Sequence, residues 1–415
     1  MTLSRRSFSF AAAAGLAAAA VPRASRAAAA EPRFLLVVFV RGAWDVTWCL
    51  DPKRGPRCDV PAGDITSFAA GHKILTHADR PAIRTFFDAH AARAAVINGI
   101  WIGSVAHTSA RIRILTGTRS ARNPDVAALF AADAVKKNPA LALPYVDLGG
   151  GAYAGPHASL LGRVGTTNQL VTLLDRARAF KDPAQRRSFD LDAGEQDALA
   201  AYVARRTEAM RRGAVGPTAD RLDGFRASLD RAAALRGNAE LRAMSVGRAT
   251  SLAQQGELAI ALLRSGVAAA AFLDSRLDWD THDAIADQGV HHERLFTDLT
   301  AIAARLEQTG MLERTTVAVL SEFTRTPRLN KQPDPGKDHW PLTSALVFGG
   351  GVGPGRFGTT DDGLGAVRVR MDDGTASDSG RLLQFDNFAA GLLGHLGVPH
   401  SPWIPNVEPF RGPFA

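Results

Sequence analysis

The chain has only two cysteines, Cys49 and Cys58, among its 415 residues. So few thiols argue against a metal site built on cysteine. The two cysteines lie close together in the sequence, and two outcomes stay open for them. They either form a disulfide that closes a short loop or remain separate thiols.

Dense runs of basic residues are also absent. The formal net charge is +8, but Arg5, Arg6, Arg23 and Arg26 lie within the first 30 residues, which contain no acid. The remaining chain therefore carries about +4 (8 − 4). A mild excess of this kind, without a Lys/Arg cluster, argues against a nucleic-acid partner.

Long apolar segments are missing as well. The best candidate, Ala11–Val21, is mostly alanine and is far shorter than the roughly 20 residues that span a bilayer. It follows Arg5 and Arg6 and precedes a tail of small residues, with a cleavage site expected near Ala28–Ala30. This pattern is typical of a twin-arginine (Tat) signal peptide. We therefore expect residues 1–30 to be removed after export by the Tat translocase. The mature protein would be periplasmic or secreted, without a stable membrane span.

Residues 31–415 are predicted to form a single α/β domain. Continuous apolar, β-branched runs are typical of strands that are buried on both faces of a parallel sheet. The predicted strands are 34–40, 94–98, 145–148, 267–273, 316–320 and 342–348. The predicted helices that flank them are 108–115, with Thr108 or Ser109 as N-cap, 290–308 and 385–396.

The region from about 170 to 264 has a different composition, dominated by Ala, Leu, Arg, Glu and Asp. Apolar residues at helical spacing predict helices around 193–212, 218–235 and 248–264. We interpret this region as a helical insertion packed against the sheet, with its arginines on solvated faces.

Two loops that follow predicted strands contain metal-ligand side chains. Strands 267–273 and 316–320 flank a helix, so a right-handed crossover places both following loops at the carboxyl edge of the sheet, where ligands bind. The first loop contains Asp280 and His282, and the second contains Glu322, Asp338 and His339. Carboxylates and imidazoles without thiolates suit Zn²⁺, Mn²⁺ or Fe, and less well Ca²⁺ or Mg²⁺. The sequence thus predicts a divalent metal (Zn, Mn or Ca) of unknown identity. The alternative is that these side chains only order the loops.

Arg325 and Arg328 follow Glu322 closely. Near a site, their guanidinium groups would bind phosphate, sulfate or carboxylate in a bidentate manner. Pairing with Glu322 or Asp338 is the alternative.

Tryptophans and glycines flank the same loops. Trp44, Trp101, Trp279 and Trp340 form either an aromatic wall for a substrate or, as the favoured interpretation, packing that holds the loops. The glycine-rich stretch 349–355 is predicted to be a turn and no phosphate loop, because no helix follows it.

Four motifs together resemble a known family. They are RGAWD (41–45), WDTH (279–282), SEFTRT (321–326) and DHW (338–340). In combination they resemble a family of Tat-exported bacterial proteins known as domain of unknown function 1501, which belongs to the alkaline phosphatase and sulfatase superfamily. The resemblance implies an alkaline-phosphatase-like α/β fold, with a mainly parallel sheet flanked by helices.

A second segment resembles the sulfatases. Arg111–Gly117 is similar to the R-x-x-L-L-T-G that follows the sulfatase nucleophile. The resemblance puts the nucleophile position at His107, so that the adjacent Thr108 and Ser109 become the nucleophile candidates. It also implies that Arg111, like Arg325, steadies an anion.

The chain departs from the superfamily pattern at two other places. Arg41 precedes Gly42 where the superfamily has Asp-Gly, which leaves Asp45 as a substitute, and Glu322-Phe323 stands in place of Asp-His. The resemblance then implies one remaining metal site, held by Asp280, His282 and His339 with Glu322 or Asp45 nearby.

Three functions follow as hypotheses. The first is an exported metal-dependent hydrolase that acts on a small anionic ester of phosphate or sulfate. The second is a non-catalytic binding or assembly protein of the cell envelope that retains the fold, which the residues Arg41, His107 and Phe323 favour. The third is an oxidoreductase with a redox metal.

Overall fold

The computed structural model describes residues 33–164, 191–237, 249–331 and 333–414. The predicted signal peptide (residues 1–30) lies outside this part of the chain, as do segments 165–190 and 238–248 of the predicted insertion. The division into a signal peptide and a single domain therefore stays a prediction.

An eight-stranded sheet lies at the centre of the fold. In chain order its strands are β1 (Phe34–Phe39), β4 (Ala94–Trp101), β5 (Tyr145–Asp147), β6 (Leu161–Arg163), β7 (Ala270–Asp274), β8 (Thr315–Leu320), β11 (Leu342–Phe348) and β12 (Gly355–Phe357). The spatial order is β12-β4-β11-β8-β1-β7-β5-β6. Only β11 runs antiparallel to its neighbours, β4 and β8. The predicted mainly parallel sheet is confirmed.

Six short strands pair outside the main sheet. They are β2 (Asp64–Ser67) with β3 (Lys73–Thr76), β9 (Thr324–Arg325) with β10 (His339–Trp340), and β13 (Arg368–Val369) with β14 (Arg381–Leu382). The β9–β10 pair matters for the site, because it joins the two ends of the loop that contains Glu322 and His339.

Helices cover both faces of the sheet. They are α1 (Pro81–His90), α2 (His107–Thr116), α3 (Val126–Lys137), α4 (Ala193–Arg212), α5 (Gly216–Gly237), α6 (Leu252–Arg264), α7 (Asp287–Gln308) and α8 (Phe385–His395). None of the helices described is long and apolar enough to cross a membrane.

The sequence of β1 is continuously apolar because the strand is buried on both faces. Leu36 and Val38 lie in a core that also contains residues of α1, α6 and α7, whereas Leu35, Val37 and Phe39 lie in a second core with residues of α2, α3 and α8. Each of these side chains is buried. Because full burial of one such side chain contributes about 1.5–3 kcal/mol, the run stabilises both layers.

The helices of the predicted insertion divide into two kinds. Helix α4 has the predicted bounds, α5 is slightly longer than predicted, and the two pack against each other. Helix α6 begins only at Leu252, because Ser251 and Gln254 form a capping box before it. Its apolar face belongs to the core beside α7, so α6 covers the sheet as an ordinary layer helix.

The structure decides the N-cap of α2, the glycine-rich turn and the state of the two cysteines. The N-cap of α2 is Ala106, without a side-chain hydrogen bond, so the prediction of Thr108 or Ser109 as N-cap is wrong. Both residues already lie in the first turn, because the helix begins at His107. The glycine-rich turn is confirmed, since Gly349, Gly350 and Gly351 all have positive φ. Cys49 and Cys58 are buried, unpaired thiols.

Candidate metal centre

Four loops at one edge of the sheet form the site. Strands β1, β7 and β8 are parallel neighbours, so the loops after them lie side by side. Strand β4 points the same way, because β11 runs antiparallel to both β4 and β8. The chain leaves β4 at the same edge and enters α2 at His107.

The Asp280 carboxylate is the centre of a cluster of three histidines. Its Oδ1 atom is 3.1 Å from His282 Nε2 and 3.1 Å from His339 Nε2. Its Oδ2 atom is 3.3 Å from His107 Nε2. The Nε2 atoms of His282 and His339 are 2.9 Å apart. The predicted residues Asp280, His282 and His339 therefore come together, and His107 joins them.

The other ring nitrogen of each histidine contacts an oxygen atom. Nδ1 of His107 is 3.0 Å from Glu322 Oε1, Nδ1 of His282 is 3.0 Å from Asp338 Oδ1, and Nδ1 of His339 is 2.8 Å from Val105 O. An acceptor at Nδ1 holds the ring proton there and leaves the Nε2 lone pair directed at the cluster. Glu322 and Asp338, predicted as ligands, thus act on the cluster through imidazoles.

This donor set fits a divalent metal. Three imidazole lone pairs and a carboxylate that face one another repel unless a cation lies between them. His107 Nε2 is buried and forms no hydrogen bond within the described part of the chain. Buried polar atoms usually have a partner, so this nitrogen is suited to bind a metal ion. Ligand atoms of His107, Asp280 and His339 lie within 4.8 Å of one another. Imidazole nitrogen with one carboxylate oxygen suits Zn²⁺, Mn²⁺ or Fe²⁺.

The electrostatic surroundings keep the carboxylate ionised. Burial raises the pKa of Asp280, but the hydrogen bond and the charge of the Arg325 guanidinium outweigh burial and hold this pKa at about 2. The hydrogen bond to Glu322 raises the pKa of His107, whereas burial lowers the pKa of His339. The Asp280 carboxylate is therefore charged at every physiological pH.

Arg325, which was predicted to bind an anion, instead connects the loops of the site through hydrogen bonds. Its guanidinium is fully buried and does not line the cleft beside the cluster. It donates hydrogen bonds to Ala43 O at 3.0 Å, Lys337 O at 3.1 Å, Trp279 O at 2.7 Å, Asp280 Oδ1 at 2.6 Å and Gly42 O. The carboxylate that it pairs with is Asp280, and neither Glu322 nor Asp338. Its donors are thus occupied by the protein itself.

Asp45, predicted as a substitute ligand, lies apart from the cluster. Its carboxylate accepts hydrogen bonds from Lys337 Nζ at 2.7 Å and from Thr47 N and Oγ1 at 3.0 and 2.7 Å. Asp45 and Lys337 are both buried. The pair fixes the loop after β1 to the segment just before His339.

The tryptophans near the site pack and do not form a wall. Trp44 and Trp279 are fully buried, with their indole N–H groups bonded to Thr343 Oγ1 and Ser275 Oγ. Among the described residues, no tryptophan, tyrosine or phenylalanine lines the cleft. The favoured interpretation holds for these two side chains.

Gly42 allows the loops after β1 and β7 to meet. A Cβ atom at Gly42 would lie 2.8 Å from the backbone nitrogen of Asp280. Its φ of +108° is also one that residues with a side chain rarely adopt. Its N–H donates to Glu322 Oε1 at 2.9 Å, so the same position joins three loops.

A cleft of about 490 Å³ opens beside the cluster. His107, Asp280 and Glu322 form one side of it. Elsewhere in the lining, Arg41, Arg111 and Arg276 supply positive charge, and Asp274 and Asp278 supply negative charge. Of the two predicted nucleophiles, Thr108 lines the cleft and Ser109 does not. Neither hydroxyl makes a hydrogen bond to any described residue.

Together the sheet and the cluster define a class of protein. It is an α/β protein with a mainly parallel sheet flanked by helices and with a histidine–carboxylate cluster at the carboxyl edge. The chain belongs to the family described as "Protein of unknown function (DUF1501)", whose profile matches residues 35–376.

Solved structures that resemble this fold include a sulfatase, a protein in the alkaline phosphatase superfamily and a phosphonate monoester hydrolase. The PsFucS1 sulfatase from Pseudoalteromonas sp. is 10% identical, with 89% of this chain and 68% of that chain covered and a TM-score of 0.40. A protein in the alkaline phosphatase superfamily from Vibrio parahaemolyticus is 9% identical, with 88% and 67% covered and a TM-score of 0.35. The phosphonate monoester hydrolase SpPMH from Silicibacter pomeroyi is 12% identical, with 92% and 76% covered and a TM-score of 0.35. Scores of this size carry no argument about the reaction. No curated protein matches the chain.

Proposed function

We propose that this protein is an exported metal-dependent hydrolase of phosphate or sulfate esters. The observation that supports the proposal is the convergence of three Nε2 atoms on the Asp280 carboxylate, beside a cleft lined by three arginines. Export through the Tat route to the periplasm rests on the N-terminal sequence, and is part of the proposal.

His107, His282, His339 and Asp280 would hold the metal. A divalent metal bound there supplies a Lewis acid for an ester oxygen and lowers the pKa of a coordinated water. Glu322 fixes the orientation of the His107 ring and keeps its proton on Nδ1. Arg325 sets the distance between the three loops, since it bonds to carbonyl groups of each.

Arg111 is suited to hold the anionic group of the ester. It lies four residues after His107 on α2, so both side chains are on one face, about 6 Å apart along the helix axis. Its Nε donates to Tyr153 Oη at 3.0 Å, which orients the guanidinium and leaves its other N–H groups for a ligand. A guanidinium fork matches two oxygens of phosphate or sulfate.

Water is the nucleophile in this proposal. A hydroxyl nucleophile needs an adjacent base within hydrogen-bond reach. The hydroxyls of Thr108 and Ser109 have no hydrogen-bond partner among the described residues, whereas His107 in the same turn is directed at the cluster. Thr108 then contributes to the cleft surface only.

A second candidate is a binding or assembly protein of the cell envelope. The same lack of an activated hydroxyl favours it, because a metal site and an anion cleft can bind a ligand without turnover. In that case Arg41 and Arg111 would serve recognition alone.

The test combines elemental analysis with turnover. We expect the protein purified from its export host to contain about one divalent metal per chain and to hydrolyse members of a panel of phosphate and sulfate monoesters. His107→Ala and His339→Ala should lose metal and turnover together. His77→Ala, which removes a histidine that pairs with the exposed Asp79, should lose neither. Metal without turnover on any ester would refute the hydrolase and leave the binding protein.

A further inference from the structure

A second cationic group lies in the same cleft, organised by Asp274 at the end of β7. The side chain of Asp274 is 7% exposed. Its Oδ2 atom is 2.9 Å from Arg41 Nη2, and its Oδ1 atom accepts the backbone N–H of Arg276 at 2.8 Å. One buried carboxylate therefore positions two arginines that line the cleft.

The backbone of Arg276 is in an unfavourable conformation. Its φ is +59°, in the left-handed region that residues with a Cβ atom seldom adopt. Such conformations persist where the surroundings enforce them, and they cluster at ligand-binding sites. Here Asp274 holds the backbone, and Leu148 O accepts a hydrogen bond from Arg276 Nη2 at 2.9 Å. Both ends of Arg276 are thus fixed, with the side chain at the cleft.

The packing around Asp274 leaves no room for adjustment. A Cβ atom at Gly149 would lie 2.8 Å from Asp274 Cβ and 2.9 Å from its backbone nitrogen. The loop after β5 therefore packs in close contact with Asp274 at Gly149. The same loop supplies the acceptors of two cleft arginines, because Leu148 O binds Arg276 and Tyr153 Oη binds Arg111.

The guanidinium of Arg276 forms no ion pair with a described carboxylate, and Asp278 also lines the cleft. Arg41 pairs with Asp274. The Arg41 side chain is 45% exposed, so its remaining N–H groups are accessible to a ligand. The guanidinium N–H groups of Arg41 and Arg276 that have no partner in the described part of the chain match carboxylate, phosphate or sulfate.

We propose that the cleft takes substrates with two anionic groups. The ester phosphate or sulfate binds at the histidine cluster with Arg111, and a second anionic group of the same molecule binds Arg41 and Arg276. This assignment rests on the proposed function, and it specifies the substrate as a polar ester with a further phosphate, sulfate or carboxylate. The absence of tryptophan, tyrosine and phenylalanine among the described residues of the lining agrees with a hydrophilic ligand.

A series of phosphonates tests the proposal without turnover. Methylphosphonate carries one anionic group, whereas phosphonoacetate, 3-phosphonopropionate and 4-phosphonobutyrate add a carboxylate at increasing distance. Titration calorimetry with the metal-loaded wild-type protein should show at least one carboxylate compound binding about tenfold more tightly than methylphosphonate, as charge-assisted hydrogen bonds predict. In Arg276→Gln and Arg41→Gln this ratio of affinities should fall to about one. Arg328→Gln, which removes a surface arginine paired with Asp59, should keep the wild-type ratio.

The outcomes separate the two proposals. A protein that binds all four phosphonates equally, or an Arg276→Gln variant that keeps the wild-type ratio, overturns the second anion site and leaves the proposed function intact. A metal-loaded protein that binds none of the four overturns both. Phosphate and sulfate esters with a carboxylate or a second phosphate, compared by kcat/KM, then identify which anion the site prefers.

Discussion

Replacement of Arg325 by methionine should destabilise the protein strongly. Arg325 is fully buried, and its guanidinium contacts loops that follow three different strands. Methionine is apolar and unbranched and has a volume only slightly smaller than that of arginine, so the change removes donors and charge more than volume.

The magnitude follows from the partners that remain. Ala43 O and Trp279 O keep a hydrogen bond from Gln288 Nε2. Gly42 O and Lys337 O have no other hydrogen-bond partner among the described residues. Two orphaned buried carbonyls cost about 1–3 kcal/mol each. Together with the cation lost from beside Asp280, the expected loss is about 3–5 kcal/mol.

Urea unfolding of metal-free protein measures this loss. Chelator in every sample removes any contribution of bound metal to stability. Arg328→Met is the matched control, because Arg328 is a surface arginine paired with Asp59, and such pairs contribute about 0–1 kcal/mol. If Arg325→Met unfolds within about 1 kcal/mol of Arg328→Met, Arg325 does not hold the loops together and the reasoning fails.

Three further predictions concern backbone and pH. Gly42→Ala should lower the free energy of unfolding by about 2 kcal/mol more than Gly55→Ala in urea unfolding, because both positions have positive φ but only Gly42 would place Cβ against Asp280 N; equal losses would refute the close approach. The pKa of Asp280 is about 2 in the folded protein, below its ordinary value of 3.8. The contribution of Asp280 to stability is therefore present above pH 4 and lost as the pH falls towards 2. In metal-free Asp280→Asn, the melting temperature should fall less steeply with decreasing pH over this range than in the wild type. Burial raises the pKa of Asp125 to about 7, so ionisation is disfavoured in the folded state and stability should fall as the pH rises from about 4 to about 7; unfolding curves of Asp125→Asn should lack this slope, and an unchanged slope would exclude Asp125 as its source.

The strands were predictable because burial on both faces leaves a plain signal in the sequence. β1 sends alternate side chains into two cores, so nearly every position must be apolar. The antiparallel direction of β11 has no such signal, because its sequence is about as apolar as those of β4 and β8, which run in the opposite direction. Strand direction depends on how the chain returns to the sheet, and no residue pattern in β11 records that.

The location of the site was predictable, but its full composition was not. Asp280, His282 and His339 follow strands, and carboxyl ends of parallel strands meet. His107 follows β4, which is separated from β8 by β11 in the sheet, and this spatial order is not readable from the sequence. The signal that was available is an imidazole at the end of the loop that follows β4, at a position that the family resemblance assigned to a nucleophile.

Arg325 and Asp45 show a different limit. Each resembles a site residue because it lies in a motif. The polar groups of each side chain, however, form hydrogen bonds with residues far away in the sequence. Lys337 is separated from Asp45 by 292 positions. Short-range spacing shows which side chains share a loop, but it does not show what lies beneath the loop.

The central claim is that His107 binds a metal together with His282, His339 and Asp280. The affinity of metal-free protein for Zn²⁺, measured by competition with a chelator, tests it most directly. Loss of one ligand should weaken binding by more than the 10–100-fold that loss of a supporting group costs, so His107→Ala should bind Zn²⁺ more than about 100-fold more weakly than the wild type. His77→Ala should bind Zn²⁺ like the wild type. A His107→Ala variant with wild-type affinity would contradict the assignment.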